Sequence, residues 1–176
     1  PPRTAGPDHG LALVARDRRF LAFVALMTGY WFVGVQINIS FPLWAERLTG
    51  STDSVGVMFA LSAGLTVALQ YSLVNAVGRW LQPPAMLVCG VAIMTAGAAV
   101  TAFATQFGVF LAGVATFALG AILTRPSQQT IIADMADPRA LGTFLGVSSL
   151  SLAVGGSVAN IAGGWFADPA RAPYGA

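Results

Sequence analysis

The chain has 176 residues, of which 56% are hydrophobic and only 9% are charged, and its mean hydropathy is +0.72. Soluble domains carry roughly a quarter charged residues, so this composition excludes an ordinary water-soluble fold and also intrinsic disorder. The net charge is +2, but nine arginines spread along the chain without any lysine form no basic face for nucleic acid, and a single cysteine, Cys89, excludes a disulfide scaffold.

Long stretches without Asp, Glu or Arg divide the chain into five predicted transmembrane helices. A bilayer core accepts about 20 uncharged residues in helical form. The longest uncharged stretch, Trp80 to Thr124, has room for two helices with a turn at residues 104–106. Near-continuous apolar composition excludes the alternation of a β-barrel and predicts an all-α, polytopic membrane helix bundle. The predicted spans are 20–45, 54–78, 84–104, 107–133 and 141–166.

The arginines predict the orientation, because cytoplasmic flanks carry an excess of positive charge. With the N-terminus inside the cell, six arginines are cytoplasmic, two are external and Arg125 lies within a span. Residues 1–19 are then a cytoplasmic segment that leads into the first span, 20–167 the transmembrane bundle and 168–176 an extracytoplasmic tail. The odd number of spans and the start at Pro1 instead of Met indicate a piece of a longer multi-pass protein of the inner membrane, with the lipid bilayer as its partner.

Small residues recur at every fourth position in three of the spans. Helices in lipid associate through small side chains, which let their backbones approach closely, so these stripes predict helix–helix contacts. An Ala- and Gly-rich chain also produces such runs by composition alone. Asn160, between Gly156 and Gly164, is expected to hydrogen-bond to a neighbouring helix. The residues predicted to pack are Gly56, Gly64, Gly120, Gly155, Gly163 and Asn160.

Polar residues within the spans point to function, because each costs free energy unless it faces water or a partner. Gln36 is four residues from Phe32 and from Ser40, and a face with an amide, an aromatic ring and a hydroxyl suits an amphiphilic ligand. The alternative is that Gln36 only bonds to a neighbouring helix. Gln70 lies toward the inner end of the second span.

Arg125 allows two interpretations, which depend on where its helix ends. If the helix continues to Ala136, Arg125 lies roughly 16 Å inside that end, and Pro126 removes the donor for the carbonyl of Ile122, which a cavity or Gln128 could satisfy. If the helix ends before Arg125, the guanidinium extends to the membrane surface. The apolar residues 131–133 favour the longer helix.

Enzymatic chemistry finds no support in the sequence. No carboxylate lies within a predicted span, and the single His9 has no second ligand nearby. Nucleotide-binding glycine motifs are absent. We therefore predict neither catalysis nor a metal or cofactor.

Several phrases of the sequence, in this order and spacing, resemble the C-terminal half of a major facilitator superfamily transporter, particularly the bacterial multidrug-efflux proton antiporters. They are Asp17-Arg18-Arg19-Phe20, Phe41-Pro42-Leu43-Trp44, Leu69-Gln70-Tyr71, Arg125-Pro126 with the linker 134–142, and the glycine pairs of residues 155–156 and 163–164.

This resemblance implies that the spans are helices seven to eleven of an incomplete six-helix half, with the N-terminal half as a missing partner. It implies alternating access, a lipophilic or amphiphilic small-molecule substrate and protons as the coupling ion. Helices eight and eleven would face the other half, which fits their small-residue stripes. The loop at residues 75–80 departs from the family, because it lacks the acid of the gating motif. The cavity-lining positions implied are Phe32, Gln36, Gln70, Arg125 and Gln128.

Two other functions stay open at this point. The same fold could import sugars or metabolites, although sugar sites usually contain more hydrogen-bonding side chains than this chain offers. The chain could also be a non-transporting membrane scaffold whose glycine stripes only pack.

Overall fold

The computed structural model describes residues 7–167, and the surroundings of side chains for residues 11–162. The predicted tail at residues 168–176 lies outside this range. Within it, every regular element is helical: α1 (Pro7–Arg16), α2 (Arg18–Gly34), a 3-10 helix (Val35–Asn38), α3 (Ser40–Thr49), α4 (Asp53–Gly78), α5 (Pro83–Ala102), α6 (Phe107–Met135) and α7 (Leu141–Ala167).

In the described part of the chain, five segments are long and apolar enough to cross a membrane: Arg18–Thr49, Asp53–Gly78, Pro83–Ala102, Phe107–Met135 and Leu141–Ala162. The prediction of an all-α, polytopic membrane helix bundle is thereby confirmed, and the chain is a multi-pass membrane protein. The bounds of α4 to α7 lie within two residues of the predicted spans.

The ends of the helices follow from local chemistry. Asp17 caps α2, where its carboxylate accepts the N–H groups of Arg19 and Phe20 at 3.0 Å each. α5 starts at two consecutive prolines, which are tolerated in a first helical turn because those N–H groups have no partner in the helix. α3 ends at Gly50, whose φ of 69° is the left-handed conformation that glycine adopts at low cost.

The first span is broken, which the sequence analysis did not anticipate. α2 ends at Gly34, the 3-10 helix follows, and Ile39 has φ −126° and ψ −65° before α3 begins. Pro42 explains part of the break, because it lacks the N–H that would bond to the carbonyl of Asn38 in a continuous helix. The side chain of Ser40 donates to Oε1 of Gln36 across the break.

α5 and α6 form an antiparallel pair with glycines on both sides of the contact. Gly90 lies against the backbone of Gly120, and Gly97 lies against the backbone of Gly113. The two glycines of each helix are seven residues apart, which keeps them on one seam of a helix pair. α4 packs on the other side of α6, and α2 packs mainly on α7.

A cluster of buried hydrophobic side chains joins the start of the first span to the linker between α6 and α7. Val14 of α1 and Phe20 of α2 are buried there with Phe144 of α7, and the rings of Phe20 and Phe144 meet edge to face with centroids 4.6 Å apart. α1, which was not expected to be a helix, thus packs on α7 and holds this end of the bundle together.

Candidate functional site

A half-open cavity of about 410 Å³ lies among α2, α4 and α6, with contributions from the 3-10 helix and from Met94 of α5. We call it the Arg125 cavity. Its wall is largely apolar, with Phe59, Phe117 and Ile122 among the lining residues. Volumes of this size are typical of small-molecule pockets, which combine an apolar wall with a few polar groups.

Among the residues that the structure describes, Arg125 is the one charged residue that lines this cavity. α6 continues ten residues beyond it to Met135, so the longer of the two predicted helices is observed and Arg125 lies about 15 Å from that end. Its guanidinium interacts electrostatically with the hydroxyl of Tyr30, a buried residue of α2. Tyr30 therefore connects α2 to α6 across the cavity.

Two polar atoms on the wall have no hydrogen-bond partner. They are Nε1 of Trp31 and Oγ of Ser62, and both are shielded from water. The rings of Tyr30 and Trp31 meet edge to face with centroids 5.0 Å apart. A buried donor without an acceptor costs free energy, so these atoms are candidates for satisfaction by a ligand.

One face of α4 carries a polar stripe along the cavity. Ser62, Thr66 and Gln70 follow each other at four-residue intervals and all line the cavity. The hydroxyl of Thr66 donates to the carbonyl of Ser62 at 2.8 Å, so its donor is already used. The exposed amide of Gln70 lies at the end of this stripe.

Of the five predicted cavity positions, the structure brings together Gln70 and Arg125. Gln36 is not among the residues that line this cavity. It accepts a hydrogen bond from Ser40 of the same span, and not from the neighbouring helix of the alternative interpretation. Phe32 is 38% exposed on α2, and Gln128 is buried within the bundle; neither lines the cavity. A role for these three in a cavity stays a prediction.

The predicted packing residues divide into two groups. Gly120 contacts Gly90 and Met94 of α5, and Gly155 contacts Thr28 and Trp31 of α2, so both lie at helix crossings. Part of the stripe of α7 is thus packed inside this chain, where Ser151 is also buried. The remaining residues show no such crossing: Gly56 and Gly64 have no neighbour within 4 Å, Asn160 is exposed, and the surroundings of Gly163 lie outside the described range.

The sequence analysis missed Tyr30, Trp31 and Ser62. Tyr30 and Trp31 were counted as apolar, although each has a polar tip that needs a partner when it is buried. The four-residue spacing of Ser62, Thr66 and Gln70 was a usable signal, because it places three polar groups on one face of a membrane helix.

The cavity is equipped for binding. Among residues 7–167, no group of three or more His, Cys, Asp or Glu side chains could hold a metal ion. The polar groups on its wall can instead orient a ligand whose apolar part contacts the aromatic and aliphatic side chains.

The chain is similar to proteins named Multidrug resistance protein MdtH. The proteins of Yersinia pestis strain Pestoides F and of Yersinia pseudotuberculosis strain YPIII are each 34% identical to it over 163 residues. These residues are 93% of this chain and 41% of each relative, so the chain spans about two fifths of the length of the curated relatives that it matches. No family model matches the chain.

Proposed function

We propose that the chain is part of a secondary active transporter that exports lipophilic or amphiphilic compounds by alternating access, with protons as the coupling ion. The observation that carries the proposal is the Arg125 cavity: a half-open, mostly apolar pocket with polar groups on helices long enough to cross the membrane. Such a pocket binds amphiphilic molecules without requiring a fixed pattern of hydrogen bonds.

The similarity to proteins named for multidrug resistance supports the export of drug-like compounds. The share of the relatives that the chain covers is compatible with helices seven to eleven of a twelve-helix major facilitator protein, whose other half would close the cavity. The distribution of arginines supports a cytoplasmic N-terminus of this piece in the inner membrane. The cavity wall is largely apolar, which disfavours an importer of sugars.

Water access to the cavity tests the proposal against a non-transporting scaffold. In the full-length protein with Cys89→Ser, Ala63→Cys places a thiol on the cavity wall in the middle of α4. Ala96→Cys is the matched control, because Ala96 is exposed in the middle of α5 and does not line the cavity. A membrane-impermeant maleimide should label position 63 much faster than position 96, and an amphiphilic substrate should slow the reaction at position 63. Equal resistance of both positions would favour the scaffold.

Transport itself is tested in inverted membrane vesicles that contain the full-length protein. Respiration acidifies the lumen and quenches acridine orange, and an exported compound that exchanges for protons restores the fluorescence when it is added. Compound accumulation that a protonophore does not abolish would exclude coupling to protons, and loss of the compound from the vesicle lumen instead of uptake would indicate an importer.

A further inference from the structure

We infer that the Arg125 cavity recognises an anionic group, so that its preferred ligands are anionic amphiphiles: an aromatic or aliphatic body that carries a carboxylate or sulfonate. The inference rests on the proposed function, because it names the class of compound for the same cavity. It depends on the balance of hydrogen-bond donors and acceptors on the cavity wall, and on the charge of that wall.

The polar side chains of the wall are rich in donors. Arg125 and Trp31 can only donate, whereas the hydroxyls of Tyr30, Ser62 and Thr66 and the amide of Gln70 both donate and accept. No Asp, Glu or His of residues 11–162, whose side chains the structure describes, lines the cavity, so this part of the wall has one positive charge and no negative one. The complement of such a surface is a ligand with acceptors and negative charge.

Arg125 lacks a counter-charge in the part of the chain that the structure describes. Its interaction is with the neutral hydroxyl of Tyr30, which can take one of the five N–H groups of the guanidinium. A cation at membrane depth costs free energy unless an anion or water compensates it. The side chain lines the cavity and is exposed, so a bound carboxylate can reach it and accept two parallel hydrogen bonds.

The unpartnered atoms of Trp31 and Ser62 point to the same class of ligand. Both belong to residues that line the cavity, and both are shielded from water, so solvent does not satisfy them. A ligand oxygen that displaces a side chain of the wall can accept a hydrogen bond from the indole N–H of Trp31. Water does not make this bond in the empty cavity, so the ligand gains it on binding. The apolar side chains of Phe59, Val67 and Ile122 remain available for the body of the ligand.

A matched series of fluorescent probes tests the inference. Dansylglycine, dansylglycinamide and dansylethylenediamine share one fluorophore and carry a negative charge, no charge and a positive charge. Their binding to the full-length protein is measured by fluorescence enhancement in nanodiscs of phosphatidylcholine, which contain no anionic lipid to compete. Dansylglycine should bind about tenfold or more tightly than dansylglycinamide, because a hydrogen bond to a charged partner is stronger than a neutral one. The cation should bind most weakly.

Variants assign the preference to Arg125. Arg125→Gln should reduce the preference for dansylglycine over dansylglycinamide to less than about threefold, and Arg125→Lys should retain part of it. Arg139→Gln is the control for overall charge, because Arg139 is exposed in the linker between α6 and α7 and does not line the cavity. It should leave the order of the three probes unchanged. Helicity measured by circular dichroism identifies a variant that has lost its fold, and Arg125→Lys then decides the assignment.

The outcomes separate the two proposals. Tighter binding of the neutral or cationic probe, or a preference for dansylglycine that survives in Arg125→Gln, overturns the inference while leaving a binding cavity in place. If no probe binds at all, both the inference and the proposed function fail. Phosphatidylglycerol is then added to the unmodified protein and to the Arg139→Gln variant. If it displaces dansylglycine from the unmodified protein but not from the variant, the probe binds through surface charge and not in the cavity, which also counts against the inference.

Discussion

Replacing Gly120 with alanine should separate α5 from α6 and destabilise the bundle. A Cβ atom at this position would lie 2.5 Å from the carbonyl oxygen of Gly90 and 2.6 Å from the backbone nitrogen of Met94. Both neighbours are backbone atoms, so a side-chain rotation cannot relieve the clash. The helices must move apart instead.

The size of the effect follows from these distances. Raising the shorter contact from 2.5 Å to the 3.4 Å at which ordinary van der Waals contact begins requires a displacement of about 0.9 Å. A gap of that size loses roughly a quarter to a half of the dispersion energy of the affected atom pairs. Over-packing of a core typically costs about 1–3 kcal/mol, and the better helix propensity of alanine returns up to about 1 kcal/mol. With the full return from helix propensity, we therefore expect a net loss of about 0–2 kcal/mol in the free energy of unfolding.

The assay is the unfolding of the full-length protein in dodecylmaltoside by increasing mole fractions of sodium dodecyl sulfate, followed by circular dichroism. Gly29→Ala is the matched control, since Gly29 lies within α2 and has no neighbour within 4 Å of an added Cβ. The control should unfold at the same or a higher detergent fraction than the unmodified protein. Equal stability of the two variants would refute the argument that glycine is required for the approach of α5 and α6.

Three further predictions concern single hydrogen bonds. Ser62→Ala removes a hydroxyl without a partner and should leave the free energy of unfolding unchanged or raise it by up to about 1 kcal/mol. Ser54→Ala removes the 2.7 Å hydrogen bond to the carbonyl of Ser51 and should lower the free energy of unfolding by about 1 kcal/mol. Thermal unfolding in which Ser54→Ala is the more stable variant would contradict this. Trp44→Phe removes the 3.2 Å bond from its indole to the loop between α5 and α6 and should cost about 1 kcal/mol in the same detergent titration, with a change below the error of the measurement as the contrary result. Asp17→Ala removes the cap of α2 and should cost about 1 kcal/mol with faster amide exchange in the first turn, while unchanged exchange there would show that the cap does not hold that turn.

Most of the fold could be predicted because exclusion of charge from the bilayer is a property of the sequence itself. The uncharged stretches predicted five helices, and the apolar residues after Pro126 predicted that α6 continues past Arg125, as it does. The break after Gly34 could not be found in this way. Val35 and Ile37 are apolar, so a hydropathy profile runs through it, and only the position of Pro42 gives a local hint.

Contacts between helices were harder to predict than the helices. The search for small residues at every fourth position marked Gly56 and Gly64, where an added Cβ would have no neighbour within 4 Å. It overlooked Gly90 and Gly97, which are seven residues apart. A glycine permits close approach, but the partner helix decides whether the approach occurs. The candidate site has the same limitation: Arg125 was conspicuous as a charge, whereas its partner Tyr30 became visible only in three dimensions.

The interruption at residues 35–39 gives the first span a joint. On the N-terminal side of the break, α2 packs mainly on α7. On the C-terminal side, α3 packs chiefly on α4, so the two parts of this span contact different helices. A continuous helix in place of α2 and α3 would make α7 and α4 tilt together, because a rotation at one end of a helix is transmitted along its whole length. A short irregular segment can take up such a rotation in a few backbone dihedral angles, so we expect α2 to tilt with α7 more freely than a continuous helix would allow.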